Sequence, residues 1–164
     1  MNKSATDTQI EIRVDDLRGP EIAALLETHL DHMRSISPPD SVHALDLEAL
    51  RNPEITFWTM WRHGKLIGCG ALREIDPEHA EIKSMHTPAA NRGQGLGRRM
   101  VRHILNVARE RGYKRLSLET GATEDFIAAR SLYASFGFVT CPPFADYNLD
   151  DFSTCMTLEL DNAS

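Results

Sequence analysis

The chain has few cysteines and no long apolar run, and both absences narrow what it can be. Its three cysteines, Cys69, Cys141 and Cys155, are odd in number, widely spaced and form no C-x-x-C pair. This pattern argues against a disulfide framework or a zinc site and predicts three small buried hydrophobes. No apolar stretch approaches the roughly 20 residues that span a bilayer. Residues 1–9 are polar and lack the apolar core of a secretory signal. We therefore expect a cytoplasmic protein with no membrane partner.

Positive charge is also scarce. Lysine and arginine number 18 against 24 aspartates and glutamates, which gives a net charge of −6. Nucleic-acid-binding domains usually present a basic surface, so no nucleic-acid partner is expected. An acidic chain suits a cationic or amine substrate. The seven histidines predict no metal site, because His29 and His32 share a helix but no third ligand is placed beside them.

The hydrophobic pattern predicts one α/β domain from residue 8 to 164, after a loose tail of residues 1–7. Strands are expected at 10–14, 55–61, 66–73, 79–87, 116–119 and 155–160. Helices are expected from Pro20 onwards and at 44–50, 96–111 and 125–136. Strands outnumber helices and the two kinds alternate, which indicates a mixed sheet with helices on both faces.

A glycine-rich stretch lies between the strand ending at 87 and the helix at 96–111. It consists of Arg92, Gly93, Gln94, Gly95, Leu96 and Gly97. A glycine turn that opens a helix offers free backbone N–H groups and the positive end of the helix dipole, so it can bind phosphate or pyrophosphate. Arg92 and Arg98 add charge-assisted donors. Neither a dinucleotide fingerprint nor a P-loop fits the spacing, and a plain tight turn is the alternative.

Two motifs together carry a family resemblance. Arg92, Gly95 and Gly97 spell R-x-x-G-x-G, which resembles the acyl-CoA pyrophosphate motif of the GNAT superfamily of N-acetyltransferases. Residues 129–138, ARSLYASFGF, resemble that family's A-x-x-L-Y-x-x-x-G-F segment. The match covers about residues 8–160 and points to the small, single-domain members. It implies a mostly antiparallel central sheet with splayed central strands. It also implies acetyl-CoA-dependent N-acetyl transfer by direct attack in a ternary complex, without a metal.

The resemblance also implies a cofactor site. The strand 82–87 would splay from the strand 116–120, and acyl-CoA would fill the slot. The Met85 N–H would face the acetyl carbonyl, while His86 and Thr87 would line the pantetheine. The pyrophosphate would lie on Arg92, Gly93, Gln94, Gly95, Leu96, Gly97 and Arg98. Many members carry an asparagine seven residues before the motif tyrosine. Phe126 stands here instead, so that contact is missing or is supplied otherwise, for example by Arg130. The alternative is an ordinary central strand.

Two residues are the candidates for catalysis. In the family the tyrosine of the second motif, here Tyr133, protonates the departing thiolate. The alternative is a half-buried tyrosine that packs against Phe138. Glu81 lies eleven residues before Arg92, the offset at which some members place their general base. The alternative is a solvated strand carboxylate that pairs with Lys83 on the same face, and Glu119 or a water is the reserve base.

The acceptor side is less defined. His43 lies in a proline-rich loop after the first helix, and Phe144 and Tyr147 lie in a second such loop. All three are candidate acceptor contacts, with loop packing as the alternative. Two covering loops favour a small-molecule primary amine over a protein lysine or N-terminus. A non-catalytic acyl-CoA-binding module would need neither Tyr133 nor Glu81. Homodimers formed through edge strands are frequent in the family.

Overall fold

The computed structural model describes residues 9–39, 47–148 and 150–160. A seven-stranded sheet runs through its middle. The strands are β1 (Ile10–Val14), β2 (Ile55–Arg62), β3 (Lys65–Asp76), β4 (His79–His86), β5 (Arg115–Gly121), β6 (Val139–Cys141) and β7 (Ser153–Glu159). Their spatial order is β1-β2-β3-β4-β5-β7-β6. The β4–β5 pair is parallel and the other described pairs are antiparallel.

Helices cover both faces of this sheet, as the sequence predicts. They are α1 (Pro20–Ile36), α2 (Leu47–Leu50), α3 (Leu96–Glu110) and α4 (Ile127–Ser135). Pro20 stands in the first turn of α1, where its missing N–H costs nothing. The apolar sides of α1 and α2 pack with Phe57 and Ala71 in one core. The other core holds α3, α4 and the far side of the sheet, with Met100 and Ile104 fully buried.

The two central strands separate, which creates the cleft. The pairing of β4 with β5 ends at Ile82 opposite Leu118, although both strands continue for several residues. In β4 an extra residue sits at Ser84, whose φ is 55°. Ala71 pairs with Lys83 whereas Cys69 pairs with His86, which defines a β-bulge. The Cys69 thiol donates to the Ser84 carbonyl over 3.3 Å and holds the bulge.

Several element bounds differ from the sequence prediction: β5 spans Arg115–Gly121 rather than 116–119, and β7 spans Ser153–Glu159 rather than 155–160. β3 runs to Asp76 rather than 73, and the three-residue β6 had no sequence signal because strands so short carry no periodicity. α4 begins at Ile127 after a 3₁₀ turn, two residues later than expected. There the Phe126 ring packs so closely on Gly121 that a Cβ would lie 2.0 Å from it. The predicted tail and the first residues of the predicted helix at 44–50 lie outside the described residues.

Candidate active site

A cleft of about 230 Å³ opens where β4 and β5 separate. It receives side chains from α1, both central strands, α4 and the segment between β6 and β7. Eight of the predicted site residues line it: Glu81, Met85, His86, Thr87, Gly97, Glu119, Tyr133 and Tyr147. His29 and Met33 of α1, which were not predicted, line it as well. The eight predicted residues come from five separate segments of the chain, and the fold brings them to one cleft.

The start of α3 is built from backbone alone. Gly93 and Gly95 have φ values of 80° and 77°, a left-handed conformation that suits glycine. Gly95 is the N-cap of α3, and it makes no side-chain capping bond to the helix. The first N–H groups of the helix, at the positive end of its dipole, therefore lack a side-chain cap. This arrangement suits an anionic ligand.

The polar residues around this loop make contacts that fix its shape. Arg92 Nε donates to the Thr87 carbonyl over 3.1 Å, which ties the loop to the end of β4. Gln94 Oε1 accepts a hydrogen bond from Arg62 Nη2 at 2.7 Å. Arg98 Nη2 donates to Ser135 Oγ at 2.8 Å, and its guanidinium lies 5.0 Å from the Phe136 ring centre. Arg92 lies in the loop and Arg98 in the first turn of α3, so two cationic residues flank the uncapped helix start in sequence.

Tyr133 lies on α4 and reaches the cleft from the α3–α4 side of the sheet. It is 6% exposed, and its ring packs edge-on against Phe138 at 5.8 Å between centres. Burial raises the pKa of the Tyr133 phenol well above its usual value. The hydroxyl therefore keeps its proton at neutral pH, in the state from which it can act as an acid.

Glu81 lies on the other side of the separation and is 1% exposed. Lys83 Nζ donates to its Oε2 at 3.3 Å, and the Tyr147 hydroxyl donates to the same oxygen. Arg73 Nε lies 3.2 Å from Oε1. The sequence offered a solvated carboxylate paired with lysine as the alternative to a base. The lysine is present, but the carboxylate is buried in a network with two cations and a phenol.

Tyr147 closes this network from the segment between β6 and β7. Lys83 Nζ donates to its hydroxyl oxygen at 2.7 Å. Burial, and after it the charge of Glu81, raise the pKa of Tyr147 far above its usual value. Phe144 packs behind it, 5.1 Å from the Tyr147 ring centre and 5.8 Å from that of His79. Of the two predicted aromatic contacts, Tyr147 faces the cleft and Phe144 supports it.

A histidine pair connects α1 with the end of β4. His29 Nδ1 and His86 Nδ1 lie 3.1 Å apart, so one ring donates and the other accepts. Burial is the largest cause, and it lowers the pKa of each imidazole to about 4. Charge on His32 also lowers the pKa of His29, and charge on His29 also lowers that of His86. Both rings are therefore neutral at pH 7. His86 was predicted from the family resemblance, whereas His29 was considered only as one of two histidines that share a helix.

The remaining predicted residues have other placements. Arg130 Nη1 donates to the carbonyls of Gly121 and Thr123 at 2.7 and 2.9 Å, so it holds the turn between β5 and α4. Phe126 lines the cleft where many family members carry asparagine. His43 lies outside the described residues. Within residues 9–39, 47–148 and 150–160, no three His, Cys, Asp or Glu side chains group to hold a metal, and no helix suits a membrane crossing.

Comparison with known proteins decides the family. The family model described as "Acetyltransferase (GNAT) family" matches residues 22–138. The chain belongs to this GNAT family. YsnE of Bacillus subtilis (strain 168), which bears the name uncharacterized N-acetyltransferase, is 51% identical over 151 residues, 92% of this chain and 100% of that protein. YedL of Escherichia coli (strain K12), named in the same way, is 46% identical over 149 residues and covers 91% and 94% of the two chains.

A solved structure agrees with the fold. A GNAT family acetyltransferase from Elizabethkingia anophelis, crystallised with acetyl-CoA bound, superposes with a TM-score of 0.69 at 20% identity, over 93% of this chain and 99% of that one. The mixed, mostly antiparallel sheet with helices on both faces is thus the GNAT architecture. The protein is an enzyme of the N-acetyltransferase class.

Proposed function

We propose that this GNAT protein transfers the acetyl group of acetyl-CoA to a primary amine of a small molecule, by direct attack in a ternary complex. One observation carries the proposal. A single cleft passes between the separated strands and joins the Tyr133 side to the Glu81 network. Donor and acceptor can therefore meet inside it from opposite sides, and no covalent acetyl-enzyme is required.

The cofactor would occupy the α3–α4 side. The uncapped start of α3, with Arg92 and Arg98 beside it, provides donors and positive charge for the pyrophosphate. The backbone of His86 and Thr87 would line the pantetheine, since the His86 ring faces α1, and the Met85 N–H is the proposed donor to the thioester carbonyl. A fixed backbone donor at that point would stabilise the negative charge that develops on the carbonyl oxygen.

The reaction needs two proton transfers. The amine nitrogen forms a bond to the carbonyl carbon and the carbon–sulfur bond breaks. Tyr133, held in its protonated form, gives its proton to the departing thiolate. Glu81 is the proposed acceptor of the amine proton, and Glu119 and a water are the alternatives. The two proposed catalytic groups reach the cleft from opposite faces of the sheet, which matches the opposite directions of the two transfers.

A small acceptor fits the surroundings best. The acceptor side is covered by α1, through His29 and Met33, and by the segment that carries Tyr147. A protein lysine or N-terminus would need an open groove at this point. The test is the release of free CoA thiol from acetyl-CoA with a broad panel of amines and peptides. Turnover with a small amine supports the proposal, and turnover with peptides alone would make the protein acceptor correct. Acetyl-CoA binding, detected as a raised melting temperature without any turnover, would favour a non-catalytic module.

A further inference from the structure

We propose that Tyr147 is a catalytic residue, and that the acceptor amine passes its proton through the Tyr147 hydroxyl to Glu81. The inference rests on the proposed transferase function and explains how a carboxylate that is 1% exposed can receive a proton from a substrate. Nothing in the sequence motifs points to this tyrosine as part of the proton path.

The contacts around Glu81 leave a route through Tyr147. Oε1 lies 3.2 Å from Arg73 Nε, but it is buried and makes no hydrogen bond within the described residues. Oε2 receives Lys83 and the Tyr147 hydroxyl. Because Oε1 has almost no exposed surface and Oε2 already receives two donors, an amine reaches the carboxylate directly only if its surroundings move. The Tyr147 hydroxyl already donates to Oε2, so the last step of a proton path is in place before the substrate arrives.

The step transfers two protons, and each bond to hydrogen that breaks is replaced by one that forms. The N–H bond of the amine breaks as its proton passes to the Tyr147 oxygen. The original O–H bond of Tyr147 breaks as that proton passes to Glu81 Oε2. The tyrosine ends unchanged, the amine is neutral, and the carboxylate is protonated until it exchanges with water. Because its pKa is raised, Tyr147 does not remain a phenolate between the two transfers.

Lys83 and Phe144 act as positioning residues. Lys83 donates to both Tyr147 and Glu81 at 2.7 and 3.3 Å, so it keeps the two oxygens on one side of a single ammonium. Its positive charge also stabilises the negative charge that develops on the tyrosine oxygen while the proton moves. Phe144 braces the Tyr147 ring against His79.

The chain contains a matched control. Tyr113 also donates to a carboxylate, Glu74 Oε1, at 2.5 Å, but that pair lies away from the cleft. Both Tyr147→Phe and Tyr113→Phe remove one hydroxyl that bonds a strand glutamate. Turnover would be measured with the best amine of the panel, and with water as acceptor, through the hydrolysis of acetyl-CoA. We expect Tyr147→Phe to lower kcat about 100-fold without weaker acetyl-CoA binding, and Tyr113→Phe to retain it.

Two further readouts separate a proton path from packing. Glu81→Gln should be as slow as Tyr147→Phe, and the double variant should be no slower than either, since one path is removed. The wild-type rate in mixtures of light and heavy water should curve, as expected for two moving protons, and should become linear in Tyr147→Phe. Additive losses, or a wild-type-like rate in Tyr147→Phe, would overturn the relay while leaving the transferase intact. If the wild type releases no CoA in either assay, the transferase and the relay both fail.

A separate observation concerns the cysteines. Cys141 of β6 stands directly opposite Cys155 of β7 in an antiparallel pair. Residues so paired have Cα atoms about 4.5–5.5 Å apart, within the range of about 4.4–6.8 Å that a disulfide needs. Both are free thiols that line a cavity of about 110 Å³ together with Glu119 and Tyr147. We infer that this pair is a modification site that forms a disulfide with a small-molecule disulfide as oxidant.

The exchange is balanced. One protein thiolate attacks the reagent and releases one reagent thiol, and the second protein thiol then displaces the other. The two protein sulfurs are oxidised and the reagent is reduced to two thiols. Burial raises the pKa of Cys141, and that of Cys155 to about 11, so the exchange requires alkaline pH or long incubation.

Thiol counting tests this site without any activity assay. The folded protein would be incubated with oxidised glutathione at alkaline pH, then unfolded and its remaining thiols counted and mapped. We expect three thiols to become one, with Cys141 and Cys155 joined in the monomer. Cys69→Ser is the control that should still form the bond, whereas Cys155→Ser should not. Glutathione adducts alone, or a bond that includes Cys69, would overturn the proposal.

Discussion

The two halves of the cleft are made in different ways. On the α3–α4 side the groups proposed to face the ligand are mainly backbone, set by two glycines with positive φ and an uncapped helix start. On the α1 side they are side chains, and Tyr147 meets Glu81 across 66 residues of sequence. A backbone site is determined by a few consecutive residues, whereas a side-chain network depends on residues that only the whole fold brings together. The first can be retained while the second changes, so one cofactor site can serve many acceptors.

The division is tested most severely at Tyr133, which should affect chemistry but not binding. Tyr133→Phe removes the proposed acid and should lower kcat by about 100-fold or more. Acetyl-CoA affinity should stay close to that of the wild type, because the proposed cofactor contacts are mainly backbone. Steady-state kinetics and calorimetric titration would measure the two quantities. An equal loss of turnover and affinity would remove Tyr133 from the role of acid.

The next largest effect is expected in the acceptor half, where charge is buried. Glu81→Gln leaves Arg73 and Lys83 without their carboxylate and should lower the unfolding free energy by about 3 kcal/mol. Glu78→Gln is the matched control. Its partner Lys114 is 3.1 Å away, but both side chains are about two-thirds exposed, and a loss below about 0.5 kcal/mol is expected. Urea denaturation measures both, and equal losses would show that the network is not stabilising.

The histidine pair should make the unfolding free energy depend on pH. Unfolded histidines bind protons near pH 6.5, whereas His29 and His86 bind them at about 4. Between these values the unfolded state holds more protons, so the unfolding free energy should fall as the pH falls from 6.5 to 4, on the order of 3 kcal/mol for each histidine. His32 and Arg92 are the neighbouring charges that contribute.

Substitution isolates this effect. His29→Asn should reduce the dependence on pH, measured by urea denaturation at pH 7 and at pH 4.5. His63→Asn, at an exposed turn between β2 and β3, should leave it unchanged. A wild-type pH dependence in His29→Asn would show that the carboxylates, and not the pair, govern acid stability.

The smallest effect belongs to the backbone half. Gly95→Ala forces a side chain into a left-handed conformation and should cost about 1 kcal/mol of stability. Gly64→Ala imposes the same strain, because its φ is 74° and its surroundings are equally open. The melting temperature should therefore fall by a similar amount in both variants, but only Gly95→Ala should weaken acetyl-CoA binding. Equal affinity in the two would contradict the proposed pyrophosphate site.

Sequence reasoning performed unevenly across these regions, for a physical reason. It predicted the strand at 10–14, the helix start at Pro20 and the glycine loop, because turn chemistry and periodicity are local. It also brought Glu81, Tyr133 and Tyr147 to one cleft, with help from family resemblance. It missed Arg73, His29 and the Cys141–Cys155 pairing, since these depend on strand register and on how α1 packs. Short β6 and the bulge at Ser84 carry no periodic signal of their own.

The bulge at Ser84 determines which side chains of β4 reach each face of the sheet. In a regular strand Met85 would share the face of Glu81 and Lys83, because side chains alternate. The extra residue reverses the alternation. Met85 turns towards Met100 of α3, and His86 joins the face of Lys83 and meets His29. The extra residue at Ser84 therefore decides which face of the sheet Met85 and His86 occupy. A regular strand that kept Ser84 would exchange the surroundings of Met85 and His86, whereas deleting Ser84 would leave both residues on their present faces.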